Sequence, residues 1–265
     1  MPITGYSNTI SVTTLGLLDA YPNAAAAYSV RQLRNAYSGS AIRVRRSSDN
    51  AEQDIGFVSG NLDTSSLTSF CGAGNGFVTT WYDQSGNGRN ATQTTAANQP
   101  QIVSGGSVIN QNSKPCLQLD NSNDGMTTNV TLVKPFAMFI GFSQNSLVDT
   151  RMINSNSQNS LISARRNSYT VYTLGTVRAS EYGYNNIMLL GALINNNTEN
   201  KYYYNNNDIT TDVNNNNWGN VAIGSSSMYP EPANGKLSEL IIYSTDQSSN
   251  RTGINTNINT YYGIY

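Results

Sequence analysis

Val78-Thr79-Thr80-Trp81-Tyr82-Asp83-Gln84-Ser85-Gly86-Asn87-Gly88-Arg89-Asn90-Ala91-Thr92-Gln93 reads as a strand that runs straight into a tight turn. Val78 to Tyr82 has the β-branched and aromatic content of a pleated, half-buried segment. Gly86 and Gly88 can take positive φ, and Asp83, Ser85 and Asn87 can bond the backbone of the turn they belong to. Those three residues also alternate before Gly88 as the first oxygen ligands of a calcium loop do. The twelfth position is Thr94, so the bidentate glutamate of such a loop is missing. The stretch therefore reads as a structural turn, with calcium at Asp83, Ser85 and Asn87 as the alternative.

Working outward, the rest of the chain shows the same strand-and-turn rhythm. Strands are expected at Gln101–Val103, Cys116–Leu119, Phe136–Phe142, Leu161–Ala164, Tyr169–Leu174, Ile187–Ile194, Lys201–Asn205, Val221–Gly224 and Leu237–Tyr243. Phe136–Phe142 and Ile187–Ile194 are nearly all apolar, as central strands are. Lys201-Tyr202-Tyr203-Tyr204 runs into Asn205-Asn206-Asn207-Asp208, a strand entering a hairpin turn. Upstream, Ile42 and Val44 alternate with Arg43 and Arg45, the pattern of a half-buried strand. Ser65 to Phe70 reads as a short helix.

Two longer helices are expected. Asn23 to Ala36 has a capping residue and an apolar stripe of Ala24, Ala27, Val30 and Leu33. The other covers 246–262, with Thr245 or Asp246 near the cap and Ile254, Ile258 and Tyr261 or Tyr262 on one face. The architecture expected is all-β: a two-sheet antiparallel jelly-roll sandwich with a short N-terminal helix and a C-terminal helix. Its organisation is one domain over 1–265, with an arm at 1–22, no internal repeat and no splitting linker.

Composition removes several functions. The chain has 265 residues, 12% of them charged, and a net charge of −1. It has no electrostatic footprint for nucleic acid or an anionic membrane, and no apolar run reaches the length of a membrane span. It contains no histidine, which excludes Ser-His-Asp and Cys-His catalysis and every imidazole metal site. Its two cysteines, Cys71 and Cys116, cannot form a zinc site alone; they are free buried thiols or a disulfide. Roughly one residue in seven is asparagine, so loops should be abundant. Met1-Pro2-Ile3-Thr4-Gly5-Tyr6 has neither a basic nor an apolar signal region, so the expected site of synthesis is a host cytoplasm.

Ala27-Tyr28-Ser29-Val30-Arg31, Gly39, the strand around Arg43–Arg46, Ser48-Asp49, Asp54-Ile55, Phe70-Cys71 and the Tyr82–Gly88 turn occur in one order. Over roughly the first 120 residues this resembles the N-terminal sandwich domain of the fungal B-type α-L-arabinofuranosidases and related phage and bacterial surface proteins. A looser resemblance covers Gly235–Tyr243 and the helix beyond it, which look like the closing elements of concanavalin A-like and laminin-G-like sandwiches, phage virion proteins among them. The resemblance implies a jelly roll of the lectin and glucanase kind.

A retaining hydrolase of this kind needs a nucleophilic carboxylate and a second as acid/base, about 5 Å apart. The resemblance places one at Asn154–Leu161, a stretch without an acid. It places the other at Ala222-Ile223-Gly224-Ser225-Ser226, where Ser225 stands for the expected aspartate. The adjacent cysteine pair of the hydrolases has no counterpart. A hydroxyl cannot supply the leaving group's proton, so a pair would have to come from Asp149, Glu181, Glu199, Asp208, Asp212, Glu231 or Glu239.

Trp218, Tyr202 and Tyr204 are the candidate glycan-binding platform, whereas Trp81 reads as core. Arg31, Arg34, Arg43, Arg45 and Arg46 are expected to pair with Asp49, Glu52, Asp54 and Asp63. The function expected from all this is a non-enzymatic phage virion subunit: a capsid decoration, head-fibre or tail-associated protein, possibly glycan-binding. Its partners would be other virion proteins or copies of itself, with no nucleic acid, no membrane and no required cofactor. The alternatives are a carbohydrate-binding module on a cell surface and an arabinofuranosidase-like glycoside hydrolase.

Overall fold

The computed structural model describes residues 15–120, 122–144, 150–155, 161–165, 168–170, 188–195, 200–210, 219–225 and 233–265. Two antiparallel layers make up a jelly-roll sandwich. The first sheet runs Asn207–Asp208, Lys201–Tyr204, Met188–Ile194, Phe136–Gln144 and Asn234–Tyr243. On the far side of that last strand lie Ala26–Ser29 and Leu117–Asp120. The second sheet runs Ser168–Thr170, Leu161–Arg165, Thr150–Ser155, Asn220–Gly224, Gly125–Thr131, Ala91–Thr92, Gly76–Trp81, Ile42–Arg46 and Glu52–Ile55. Gln101–Ser104 pairs with Leu117–Asp120 and with Gly76–Trp81, joining the layers at one edge.

Alternation assigns side chains to two cores. Along Phe136–Gln144, Phe136, Met138 and Ile140 enter the core between the sheets, while Ala137 and Phe139 face a second cluster outside. The strand is buried on both faces, which is why its sequence has no polar alternation. The outer cluster is closed by the helix Arg251–Tyr262, whose Ile254, Ile258 and Tyr262 pack on Phe139, Leu189, Leu193, Ile241 and Tyr243. Gly263 ends the helix at φ 61, its N–H reaching the Asn259 carbonyl at 2.7 Å. The helix begins at Arg251 rather than 246, because Asp246 bonds the Ser248 amide and hydroxyl in a preceding turn.

The expected helix over 23–36 is not there. Asn23 sits at φ 66, and Ala26–Ser29 is a strand paired with Glu239–Ile242. Its stripe is an artefact of burial on both sides: Ala26, Tyr28 and Val30 enter the inter-sheet core, while Ala24, Ala27 and Leu33 enter the outer cluster. A short helix precedes it instead, Leu17–Ala20, with Leu17 and Leu18 buried. Among the strands absent from the sequence reading, the two longest are Gly125–Thr131 and Thr150–Ser155. In the first, Thr127 and Asn129 point outward between Met126 and Val130, a polar composition that imitates a loop. The hairpin after Lys201–Tyr204 forms as read, Asn205 and Asn206 taking φ 43 and 68.

The Asp83 turn fastens the N-terminal strand. Asp83 Oδ1 accepts the amides of Ala27 and Ser85, both at 2.9 Å, and Oδ2 accepts the Ser85 hydroxyl at 2.7 Å and the Arg89 amide at 3.0 Å. Gln84 accepts the Leu33 amide at 2.8 Å and donates to the carbonyls of Ser29 and Arg31. Asn87 donates to the carbonyls of Ala24 and Ala25. The calcium alternative is corrected by this arrangement: both Asp83 oxygens face N–H and O–H donors, and Asn87 presents its amide nitrogen to protein carbonyls.

A buried ion pair closes the opposite side of the same strand. Arg31 Nε and Nη2 meet the Glu239 carboxylate at 2.7 and 2.9 Å, and Ser29 and Tyr262 hydroxyls also point at it. Arg43 pairs with Glu52 and Asp54, and Arg46 with Asp49, as expected. Arg45 instead bonds Gln99 and stacks on Phe77, and Asp63 caps the helix Thr64–Cys71. Cys71 and Cys116 are free and buried, and burial raises both thiols, Cys116 to about 12.

Candidate active site

The two segments to which the resemblance assigns catalytic carboxylates lie side by side. Asn154 pairs with Ala222 in the second sheet, and its Nδ2 donates to the Gly224 carbonyl. Gly224 in turn pairs with Gly125 on the neighbouring strand, and the Ser225 amide donates to the Asp124 carbonyl at 2.8 Å. Glycine is required at both places. A Cβ on Gly125 would fall 2.0 Å from the Ser225 carbonyl oxygen, and Gly224 has φ 67 with Asp124 O only 2.5 Å from its would-be Cβ. This close backbone approach sets Asp124, Ser225 and Asn154 around one end of the sandwich.

Asp124, in backbone contact with one of the assigned positions, carries a carboxyl where those positions have none. The residue is 4% exposed. Its Oδ2 accepts the Asp120 amide at 3.0 Å, while Asp120 Oδ1 accepts the Ser122 amide at 2.9 Å. Burial first, and the neighbouring Asp120 charge second, push the Asp124 carboxyl up to about 7. A carboxylic acid that keeps its proton near neutrality is what a leaving group needs from a general acid. A chain of side chains braces the loop from the other side. Arg45 donates to Gln99 at 2.7 Å, Gln99 to the Gln93 carbonyl at 3.1 Å, and Gln93 Nε2 to the Gly125 carbonyl at 2.6 Å.

The other expectations resolve differently. Tyr202 and Tyr204 are 0% and 7% exposed and belong to the core between the sheets, so they form no glycan platform. The strand alternates, and Tyr203 is the partly exposed one, covered by the Arg251 guanidinium at 4.0 Å. Trp81 is core, 5.9 Å from the Tyr28 ring. Trp218 lies outside the described residues, as do Asp149, Glu181, Glu199, Asp212 and Glu231. Asp208 is tied to Lys201 at 3.0 Å and Glu239 to Arg31, so neither is free for catalysis. Asp120 and Asp124 were passed over in the sequence. The signal was there in Asp120-Asn121-Ser122-Asn123-Asp124-Gly125, two acids four apart in a run that can only be a turn.

The chain is an all-β jelly roll with a buried, proton-holding carboxyl at one end of its sheets. The family model described as the catalytic domain of alpha-L-arabinofuranosidase B matches residues 19–140, a span that includes both the Asp83 turn and Asp120–Asp124. No match was found among curated proteins. A GH54 α-L-arabinofuranosidase soaked with a cyclic sulfate inhibitor superposes with a TM-score of 0.73 at 16% identity. An arabinofuranosidase complexed with arabinofuranosyl-α-1,2-xylobiose superposes at 0.67, also at 16% identity. Each match covers 91% of this chain and 64% of the enzyme, so the chain spans less than two-thirds of their length. A Trypanosoma rangeli sialidase shares the fold more distantly, with a TM-score of 0.50 at 9% identity over 69% of this chain and 31% of that one.

These findings correct the expectation of a non-enzymatic virion subunit. The matching family model is that of an arabinofuranosidase catalytic domain, and the solved structures with the TM-scores of 0.73 and 0.67 are arabinofuranosidases.

Proposed function

We propose that the protein is a glycoside hydrolase acting on α-L-arabinofuranosides, with Asp124 as its proton donor. The observation that carries this reading is the buried Asp124 carboxyl, raised to about 7, in a residue whose backbone carbonyl holds the Ser225 amide and which lies within the span similar to an arabinofuranosidase catalytic domain. Asp124 would protonate the glycosidic oxygen as the C–O bond breaks, and the Asp120 charge would hold that proton in place until then. Ser225 and Asn154 would orient the sugar hydroxyls. The second carboxylate that hydrolysis needs is to be sought among Asp149, Glu181, Glu199, Asp212 and Glu231.

One observation favours a second reading, glycan binding without cleavage: the two assigned positions carry an amide and a hydroxyl. Release of 4-nitrophenol from 4-nitrophenyl α-L-arabinofuranoside separates the two. Hydrolysis predicts release that declines as pH rises through about 7, where Asp124 loses its proton, and that is abolished in Asp124→Asn. Release unchanged in that variant would remove Asp124 from the mechanism. Absence of release at every pH, together with saturable arabinoside binding, would replace hydrolysis by recognition.

A further inference from the structure

The strand beside Asp124 runs short at the level of its carboxyl. Gly125–Thr131 meets Ala91–Thr92 through the pair Thr127 with Thr92. Carried two residues on, an antiparallel register would set Thr94 opposite Gly125. Thr94 lies beyond the end of that strand, and the Gln93 amide has already turned to the Thr79 carbonyl at 2.9 Å. A side chain takes the place of the backbone donor: Gln93 Nε2 donates to the Gly125 carbonyl at 2.6 Å. On its other side Gly125 pairs with Gly224, so close that a Cβ has no room. The residue next to the carboxyl is thus held from both sides, once by backbone and once by glutamine.

Gln93 is itself fixed. Its Oε1 accepts the Thr95 amide at 3.0 Å, which turns Nε2 toward Gly125. Gln99, 4% exposed, donates to the Gln93 carbonyl at 3.1 Å and accepts from Arg45 Nε at 2.7 Å. Arg45 spends its other nitrogens on Asn50 Oδ1 at 2.8 Å and the Ala96 carbonyl at 3.3 Å, and lies over the Phe77 ring. Arg31, Arg43 and Arg46 each meet a carboxylate; among the described residues Arg45 meets none. A guanidinium given wholly to neutral acceptors works as a rigid fork that holds geometry.

We propose that Gln93, anchored through Gln99 to Arg45, is the positioning residue for Asp124: it stands in for a strand that ends too soon and keeps Gly125, with the carboxyl one residue before it, in its buried place. This role rests on the hydrolase reading and deepens it, since a general acid works only while it holds its proton. The charged group facing Asp124 is Asp120, and the adjoining strands bring Gln93, Asn154 and Ser225, none of which titrates near neutrality. Burial is therefore the main reason the proton stays, and a released Gly125 would admit water to the carboxyl and let it ionise more readily.

Carbon-13 NMR titration of the aspartate carboxyls in the full chain tests it, with Asp124→Asn assigning the signal, beside assays with the 4-nitrophenyl arabinofuranoside. The wild-type midpoint is expected near 7. Gln93→Leu keeps the bulk without the donor and should lower that midpoint by about one unit or more, and the pH above which release declines should fall with it. Arg45→Ala should lower it by less. Loss of the Arg45 charge alone would raise it, so the sign separates positioning from electrostatics. Thr92→Ala, exposed and adjacent to Gln93, should leave it unchanged. A Gln93→Leu midpoint equal to that of the wild type, or a wild-type midpoint near the ordinary value of about 4, would overturn the proposal. If Gln93→Leu does not fold, Arg45→Ala decides, and a midpoint that is unshifted or raised there overturns it. Lowered midpoints in a protein that releases no 4-nitrophenol would sink the hydrolase reading and leave the positioning role standing; release with unshifted midpoints would do the reverse.

Discussion

Asp83 and Asp124 are equally buried, each 4% exposed, and each closes a loop at the end of a strand. They are put to opposite uses. Asp83 is surrounded by donors, three amides and a hydroxyl, from two segments that are distant in sequence. Asp124 has one amide and, against it, another carboxylate. The first arrangement locks the chain, because every oxygen is spent on structure. The second leaves a carboxyl with its ionisation unbalanced, which stores reactivity rather than stability. The same side chain becomes scaffold or chemistry according to what surrounds it.

The sharpest way to break this contrast is at the scaffold end. Asp83→Ala leaves the buried Ala27 amide and the Arg89 amide without their acceptor and frees the strand Ala26–Ser29. A loss of roughly 3–5 kcal/mol is expected in urea unfolding. A loss below about 1 kcal/mol would mean that the turn holds without its aspartate. Glu239→Ala, which strands the buried Arg31 guanidinium, should cost a similar or slightly smaller amount, about 3 kcal/mol, read the same way.

Asp124→Asn should act with the opposite sign. The Asp124 carboxyl in the folded chain titrates near 7, above the roughly 3.9 of an unfolded aspartate, so the native state holds the proton longer. Its contribution is complete below about pH 4 and is lost as pH rises through about 7. Thermal melts at pH 5 and pH 8 should show a smaller pH-dependent drop in Asp124→Asn than in the wild type. Equal drops would show that Asp124 is not the group that titrates. The smallest effect belongs to Arg43→Ala: both its ion pairs are exposed, with side chains around 40% accessible, so stability should change by less than about 0.5 kcal/mol.

How much of this was legible in advance differs between the two ends. Asp83, Ser85, Gly86, Asn87 and Gly88 announce their turn, since each needs only its own backbone to act. Even there, the partners at Ala24–Leu33 were mistaken for a helix. A strand buried on both faces has no period of its own, and alanines fit either structure. The Asp124 end was almost illegible. Asn154 and Ser225 looked like vacant positions, and their neighbour is donated by a strand that reads as loop because its outward residues are threonine and asparagine.

The sequence by itself determined the class of fold, the two-sided central strands Phe136–Gln144 and Met188–Ile194, the closing helix and the absence of any imidazole chemistry. Those properties follow from local composition and periodicity, which a linear chain displays. Only the tertiary structure decided that Tyr202 and Tyr204 point inward, that Arg31 meets Glu239, and that Asp124 lies beside Ser225. Burial and pairing across more than 90 positions depend on which strands become neighbours. That is fixed by the packing of two sheets, not by any segment alone.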